Sequence, residues 1–325
     1  DYGIYGMMRY FLGLTSEKSR PRAGAGGKRF RPGLCLFIAN TYGVVGGALS
    51  AAVSIELFHN FSLIHDDIED KDELRRGRPT VWKLWGINHA INAGDGQLIL
   101  AHRALVKSST CDPRITVALL DFLTARYVEV MAGQYLAFAL TDAHIGDAQV
   151  TRGAYLEMLT KKTAVLVGAA TQAAGIVAGV PQQEQDALWR YGLSLGMAYQ
   201  LYDDAMSVWG ETAHTGKEQW GDIKTRKKTL PVFVALEQLS GAARDRLVGL
   251  YNAVDPLSTT EMAEIVELFD SVQGYQAVRT LIDRYAREAK DAAMELSCTP
   301  KNKEVLAGIV DALIPNVSLR QPQHE

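Results

Sequence analysis

GALSAAVSIELFHNFSLIHDDIED, Gly47–Asp70, decides how the chain folds. It contains no proline, and apolar residues recur at Ala52, Ile55, Phe58, Leu63 and Ile64, a spacing that predicts a helix. Similar patterns run through Arg114–Leu140, Gln183–Val208 and Glu261–Leu296. No sustained period-two alternation bounded by turn pairs appears, so strands are expected to be few or absent. Turn-forming residues fall at AGAGGKRFRP, RRGRP, SSTCDP, TDAHIGD, AGVP, CTP and between Gly210 and Pro231. With no low-complexity linker and no repeat, the expectation is an all-α chain forming one domain over residues 1–325.

Composition narrows the function classes. The 325 residues are 47% hydrophobic, enough to bury a large core. A formal net charge of −3 argues against a nucleic-acid binder. The three cysteines, Cys35, Cys111 and Cys298, are widely spaced and form no CxxC, which suggests reduced thiols in a cytoplasmic protein. No apolar signal stands at the start of the sequence, which opens at Asp1. The most apolar run, Ala164–Val180, is short for a membrane span and rich in Gly and Ala, so a buried helix is expected and stable membrane insertion is not.

The opening stretch ends in HDDIED. On a helix Asp66 and Asp70 lie one turn apart on one face, with His59 about 20° from Asp66 and Asp67 about 100° around. Carboxylates this close repel unless a cation sits between them. Hard oxygen ligands suit Mg²⁺, which favours a partner supplying phosphate oxygens. The competing reading is a solvated acidic face neutralised by Lys71, Arg75 and Arg76.

A second cluster favours the metal. Gln200, Asp203, Ser207 and Glu211 share a stripe of about 80° on an ideal helix. Asp203 and Asp204 directly follow the apolar LSLGMAYQLY, deep in core-type sequence. Basic residues surround both clusters in the sequence: Lys28, Arg29 and Arg31; Arg75 and Arg76; Lys161 and Lys162; Lys217, Lys227 and Lys228. Glycines in GGKRFRP and at Gly216 allow backbone to approach a phosphate, although no GxxxxGK[ST] loop exists. Together these describe a site for a polyanion with metal.

In order along the chain, GGKRFRP, LFHNFSLIHDDIEDKDELRRGRPT, NAGDG, YLEMLTKKTA, YQLYDD and GKEQWGDIKTRKKTLP resemble the trans-type isoprenyl diphosphate synthases of the polyprenyl synthetase family. The resemblance runs from about Gly26 to the C-terminus. It implies a helical bundle around a deep cavity, usually a homodimer, using three Mg²⁺ to condense isopentenyl diphosphate with an allylic diphosphate. By position, Asp66, Asp67 and Asp70 resemble the first metal motif, and Asp203 and Asp204 begin the second. Lys28, Arg31, His59 and Arg76 match the isopentenyl diphosphate site. Arg75, Lys162, Thr163, Gln200, Lys217 and Lys227 match the allylic site, Lys227 being preferred to Lys228. Tyr199, where the family often has Phe, offers an aromatic face to a carbocation or packs in the core.

Ser207 departs from the family's DDxxD. Read with Glu211, the stretch becomes DDxxSxxxE, which resembles the second metal motif of class I terpene cyclases and makes Ser207 and Glu211 candidate Mg²⁺ ligands. A cyclase and a non-catalytic partner subunit are therefore the rival readings; a pure cyclase gives no reason to keep the isopentenyl diphosphate residues, and a non-catalytic subunit gives none to keep the first acidic motif and nearly all the basic residues intact. Upstream of the first aspartate, Phe61 and the deeper Phe58 resemble the floor that ends chain growth in short-chain synthases. That likeness points to geranylgeranyl diphosphate as product, with farnesyl diphosphate second.

Overall fold

The computed structural model describes residues 3–18, 20, 26–107, 112–210 and 220–315. Fifteen α-helices occur among them: α1 Ile4–Phe11, α2 Phe30–Thr41, α3 Val45–Glu69, α4 Val81–Trp85, α5 Ile87–Val106, α6 Pro113–Asp142, α7 Arg152–Leu159, α8 Val165–Ala178, α9 Gln182–Trp209, α10 Gly221–Lys224, α11 Leu230–Gln238, α12 Gly241–Asn252, α13 Thr259–Ser271, α14 Gly274–Glu295 and α15 Pro300–Leu313. A single π-helical turn, Thr160–Ala164, joins α7 to α8. The only described strands are β1, Leu74–Arg75, and β2, Arg78–Pro79, paired antiparallel.

The periodic stretches are helices, with one exception. The pattern across Glu261–Leu296 is interrupted between α13 and α14, where Gln273 is left-handed at φ 52°. A Cβ on Gly274 would stand 2.7 Å from the Phe269 carbonyl oxygen, so glycine permits this close turn. The buried-helix reading of Ala164–Val180 holds, since α8 is apolar and largely buried. By length and composition α3 is apolar enough to cross a membrane, but half of its most apolar window is buried within the protein. Cys35 and Cys298 are buried thiols, and burial pushes Cys35 up to about 12; Cys111 lies outside the described residues.

The chain divides into two compact units. The first comprises residues up to Val128 together with Ala169–Asp186. At its centre α3 packs along α5 and α2. Met8, Tyr10, Phe11, Ile64, Val81, Ala90 and Ala93 close the core beneath the C-terminal end of α3. Helix α3 stops because Lys71 turns left-handed at φ 57°, and the Asp72 N–H then donates back to the Asp67 carbonyl at 2.9 Å. The hairpin that follows has Arg76 and Gly77 at φ 54° and 69°, the paired positive angles of a tight two-residue turn. It is pinned from both sides: Tyr10 Oη donates to the Pro79 carbonyl at 2.7 Å, and the Arg78 guanidinium donates to the Tyr10 and Thr15 carbonyls, each at 3.0 Å.

The second unit comprises Glu129–Gly168 and the chain from Ala187 onward. Helix α11, buried along most of its length, packs against α14, α13 and α7. Helix α13 is fixed at its start by a reciprocal cap between Ser258 and Glu261.

Candidate functional site

In the first unit, cations gather around His59. Arg31, in the first turn of α2, places Nη1 3.3 Å from His59 Nε2. Burial, then the charges of Arg31, Arg76 and Arg75, hold His59 well below the usual histidine range. The imidazole is therefore neutral at pH 7, and because arginine only donates, Nε2 accepts. Gly27 completes the cluster: a Cβ there would lie 2.6 Å from Arg76 Nη2, so a larger residue would require the guanidinium to shift. Lys28 stands exposed on that loop. Thus Arg31, His59 and Arg76, matched by resemblance to one diphosphate site, do come together.

The first acidic motif divides by burial. Asp66 is half-buried, and Asp70, the residue that caps α3, is exposed. Asp67 is 1% exposed. Its Oδ1 accepts from Arg75 Nε, while its buried Oδ2 has no hydrogen-bond partner among the described residues. Burial, opposed by Arg75, pushes the Asp67 carboxyl up to about 6. A buried carboxylate oxygen left without a donor is suited to a hard cation such as Mg²⁺.

In the second unit, the second acidic motif occupies the last turns of α9. Asp203 is half-buried and Asp204 buried. Tyr155 Oη donates to Asp204 Oδ2, and Gln200 Nε2 donates to Asp204 Oδ1 at 3.0 Å. Gln200 in turn accepts from Thr163 Oγ1 at 3.4 Å. Burial, then the charge of Asp222, pushes Asp204 up to about 7. Lys162 and Thr163 sit on the π-turn, an irregularity that recurs at functional sites. Two glycines let neighbouring helices close on it: a Cβ on Gly133 of α6 would meet the Lys162 nitrogen at 2.2 Å, and one on Gly196 of α9 the Ala164 Cα at 2.7 Å.

Ser207 is also committed. Its Oγ accepts from the Asp222 N–H and its carbonyl from the Trp220 N–H, both at 3.2 Å. Lys227 is exposed, with Nζ 3.6 Å from Asp222. Lys228 is buried and donates to the Thr141 carbonyl at 3.1 Å, so it holds the end of α6. Tyr199 is half-buried. Glu211 and Lys217 lie outside the described residues. Among the described residues no three His, Cys, Asp or Glu side chains form a ready-made metal cage. Tyr155 and Asp222 lie within the quoted stretches YLEMLTKKTA and GKEQWGDIKTRKKTLP, but sequence reasoning gave neither a role.

Phe58 is fully buried and stacks on Tyr127 at 3.8 Å, with ring planes 3° apart. Tyr127 Oη is locked to Ser54 Oγ at 2.8 Å. Phe61 lies 5.6 Å from Phe58 and 4.8 Å from the His65 ring.

The chain as a whole is similar to known proteins. The polyprenyl synthetase family model matches residues 16–269. A (2E,6E)-farnesyl diphosphate synthase of Mycobacterium tuberculosis is 38% identical over 267 residues, 81% of this chain and 72% of the relative. A geranylgeranyl diphosphate synthase of Methanosarcina mazei is 35% identical over 299 residues, 92% of this chain and 88% of the relative. The crystal structure of a polyprenyl synthetase from Streptomyces coelicolor A3(2) is 30% identical and superimposes with a TM-score of 0.86, over 97% of this chain and 93% of that one.

Proposed function

The chain belongs to the polyprenyl synthetase family, and from that premise we propose how its residues divide the work of a short-chain isoprenyl diphosphate synthase. As a prenyltransferase it joins isopentenyl diphosphate to an allylic diphosphate (dimethylallyl, geranyl or farnesyl). Geranylgeranyl diphosphate is the proposed product, with farnesyl diphosphate second.

One observation carries the assignment of substrates. Arg31, neutral His59 and Arg76 converge beside Gly27 as a cationic cluster suited to an anion. With Lys28 they bind isopentenyl diphosphate. A chain that ionises a single diphosphate has no use for such a cluster. Arg75, Lys162, Thr163, Gln200, Lys217 and Lys227 bind the allylic diphosphate, and Asp66, Asp67, Asp70, Asp203 and Asp204 hold Mg²⁺, three ions on the family pattern. Mg²⁺, commonly held by a few carboxylates and substrate phosphate oxygens, supplies charge stabilisation for the departing diphosphate.

The side chains account for the rest. Two diphosphates repel strongly at low dielectric, so separate cationic groups must hold each one. Lys162, Lys217 and Lys227 stabilise negative charge as the allylic carbon–oxygen bond breaks and its electron pair stays on oxygen. The isopentenyl alkene then supplies the electrons of the new carbon–carbon bond. Proton loss from the resulting cation regenerates an allylic alkene, and the released diphosphate takes the proton. Tyr199 offers the cation an aromatic face.

A homodimer is proposed from Ile87, Ile91, Ile99 and Val106, which are exposed on roughly one 120° face of α5. Cytoplasmic residence is proposed from the uncrosslinked cysteine pattern.

The deciding experiment supplies purified protein with Mg²⁺, isopentenyl diphosphate and each allylic diphosphate in turn, with products identified by mass. A longer linear diphosphate is expected. Conversion of an allylic diphosphate alone to a cyclic hydrocarbon, with isopentenyl diphosphate ignored, would reject the reading.

A further inference from the structure

We propose that Ser207 is a positioning residue, not a Mg²⁺ ligand: its hydroxyl seats the turn that presents Asp222 and Lys227. The inference rests on the reading of Lys227 as an allylic diphosphate ligand. Ser207 lies in the last turn of α9, where helix carbonyls have no intrahelical donor. Its own carbonyl takes the Trp220 N–H, and its Oγ takes the Asp222 N–H. Trp220 is left-handed at φ 61°, a conformation that a bulky residue adopts only when its surroundings impose it. The two hydrogen bonds that Ser207 accepts hold this residue's own N–H and that of Asp222.

The consequence passes directly to Lys227. The Asp222 carbonyl accepts the Lys227 N–H at 2.9 Å, and the Asp222 carboxylate stands 3.6 Å from Lys227 Nζ. Asp222 is also within electrostatic reach of Asp204. An aspartate at 207 would add a further negative charge beside Asp222. Serine gives the turn an acceptor with no charge, which accounts for DDxxS in place of DDxxD.

Three variants test this: Ser207→Ala, Ser207→Thr and Ser207→Asp. Three quantities are measured: hydrogen exchange at the Asp222 amide, Mg²⁺ binding by calorimetry with inorganic diphosphate present, and KM for each substrate. Ser207→Ala is expected to speed that exchange and raise the allylic KM roughly fivefold, the worth of one hydrogen bond. Mg²⁺ affinity and the isopentenyl diphosphate KM stay as in wild type, and Ser207→Thr restores the allylic KM. Ser207→Asp leaves Mg²⁺ affinity no tighter. Weaker Mg²⁺ binding in Ser207→Ala, with exchange unchanged, overturns the proposal, as does tighter binding in Ser207→Asp. Wild-type protein that fails to join the two substrates defeats the functional reading instead, and the exchange and calorimetry still decide the role of Ser207.

Discussion

Tyr155 gives its phenolic hydrogen to the buried carboxylate of Asp204. Asp204 thereby has a protein donor on each oxygen, Tyr155 on one and Gln200 on the other. Tyr155→Phe keeps the ring, which packs 5.6 Å from Phe233, and removes only the donor. Leaving a buried acceptor short of a partner costs roughly 1–3 kcal/mol. Urea unfolding of Tyr155→Phe measures the loss. Adding Asp204→Asn should recover part of it, because the amide no longer carries a charge that needs the donor; strict additivity of the two losses would show that the groups are not coupled.

The raised carboxyl of Asp204 sets a pH dependence with a defined sign. Its ordinary value is 3.8 and its folded value about 7, so the folded chain holds the proton more tightly than the unfolded one. The stabilisation is full below about pH 4 and is lost as pH rises through about 7. Asp67, pushed up to about 6, adds a smaller loss of the same sign. One pK unit is about 1.4 kcal/mol, a few degrees in Tm for a chain of this size. In chelator-treated protein, wild type should lose several degrees more than Asp204→Asn between about pH 5 and pH 7.5. Mg²⁺ with inorganic diphosphate should narrow the gap; parallel pH profiles would remove Asp204 as the group responsible.

Arg76→Ala is expected to act on one substrate only. A charged hydrogen bond to an anion is worth roughly 1.5–3 kcal/mol, so the KM for isopentenyl diphosphate should rise about 10- to 100-fold. The allylic KM should stay within about twofold of wild type, the range of a change that touches no contact. Equal rises in both KM values would mean that Arg76 supports the fold and not one substrate.

What the sequence discloses depends on the range of the interaction. Helices were legible because burial repeats along the chain, and α6 and α9 match their apolar stretches almost end to end. The α13–α14 break was hidden, since it rests on one left-handed glutamine and the room beside Gly274. The β1–β2 hairpin has two residues per strand, too short for alternation to show. The cations around His59 were readable as types, because a polyanion demands them. Their pairing was not: nothing in RRGRP tells that Arg75 turns to Asp67 while Arg76 faces Gly27. Tyr155 and Asp222 stand in stretches that carry the family resemblance, but their hydrogen bonds to Asp204 and Ser207 are tertiary contacts that local sequence does not display.

Gly133 tests whether the π-turn is held by close packing. Its missing Cβ leaves room for the Lys162 backbone at a position where any side chain would stand 2.2 Å from the nitrogen. Gly133→Ala must displace α6 or the π-turn, at a cost of roughly 1–3 kcal/mol for overpacking. If the π-turn yields, Lys162 and Thr163 move and the allylic KM rises, while the isopentenyl diphosphate KM is unchanged. A lower Tm with both KM values unaltered would show that α6 shifts instead.

Product length is the property on which Phe61 and the Phe58–Tyr127 stack make different predictions. Among the described residues, the aromatic partners of Phe61 are His65, T-shaped to it, and the tilted ring of Phe58. Phe58 is clamped, stacked on Tyr127, whose hydroxyl is itself held by Ser54. Removing Phe61 therefore vacates space above a layer that has its own support and need not collapse, as happens when a cavity's walls relax only partly. Phe61→Ala should yield a longer linear product, identified by mass, while Phe61→Ala with Tyr127→Phe should differ little, because the stack survives loss of the hydroxyl. Phe61→Ala with Phe58→Ala removes the second layer and should lengthen the product again. An unchanged product from Phe61→Ala would mean that Phe61 only packs the core and that chain growth is stopped elsewhere.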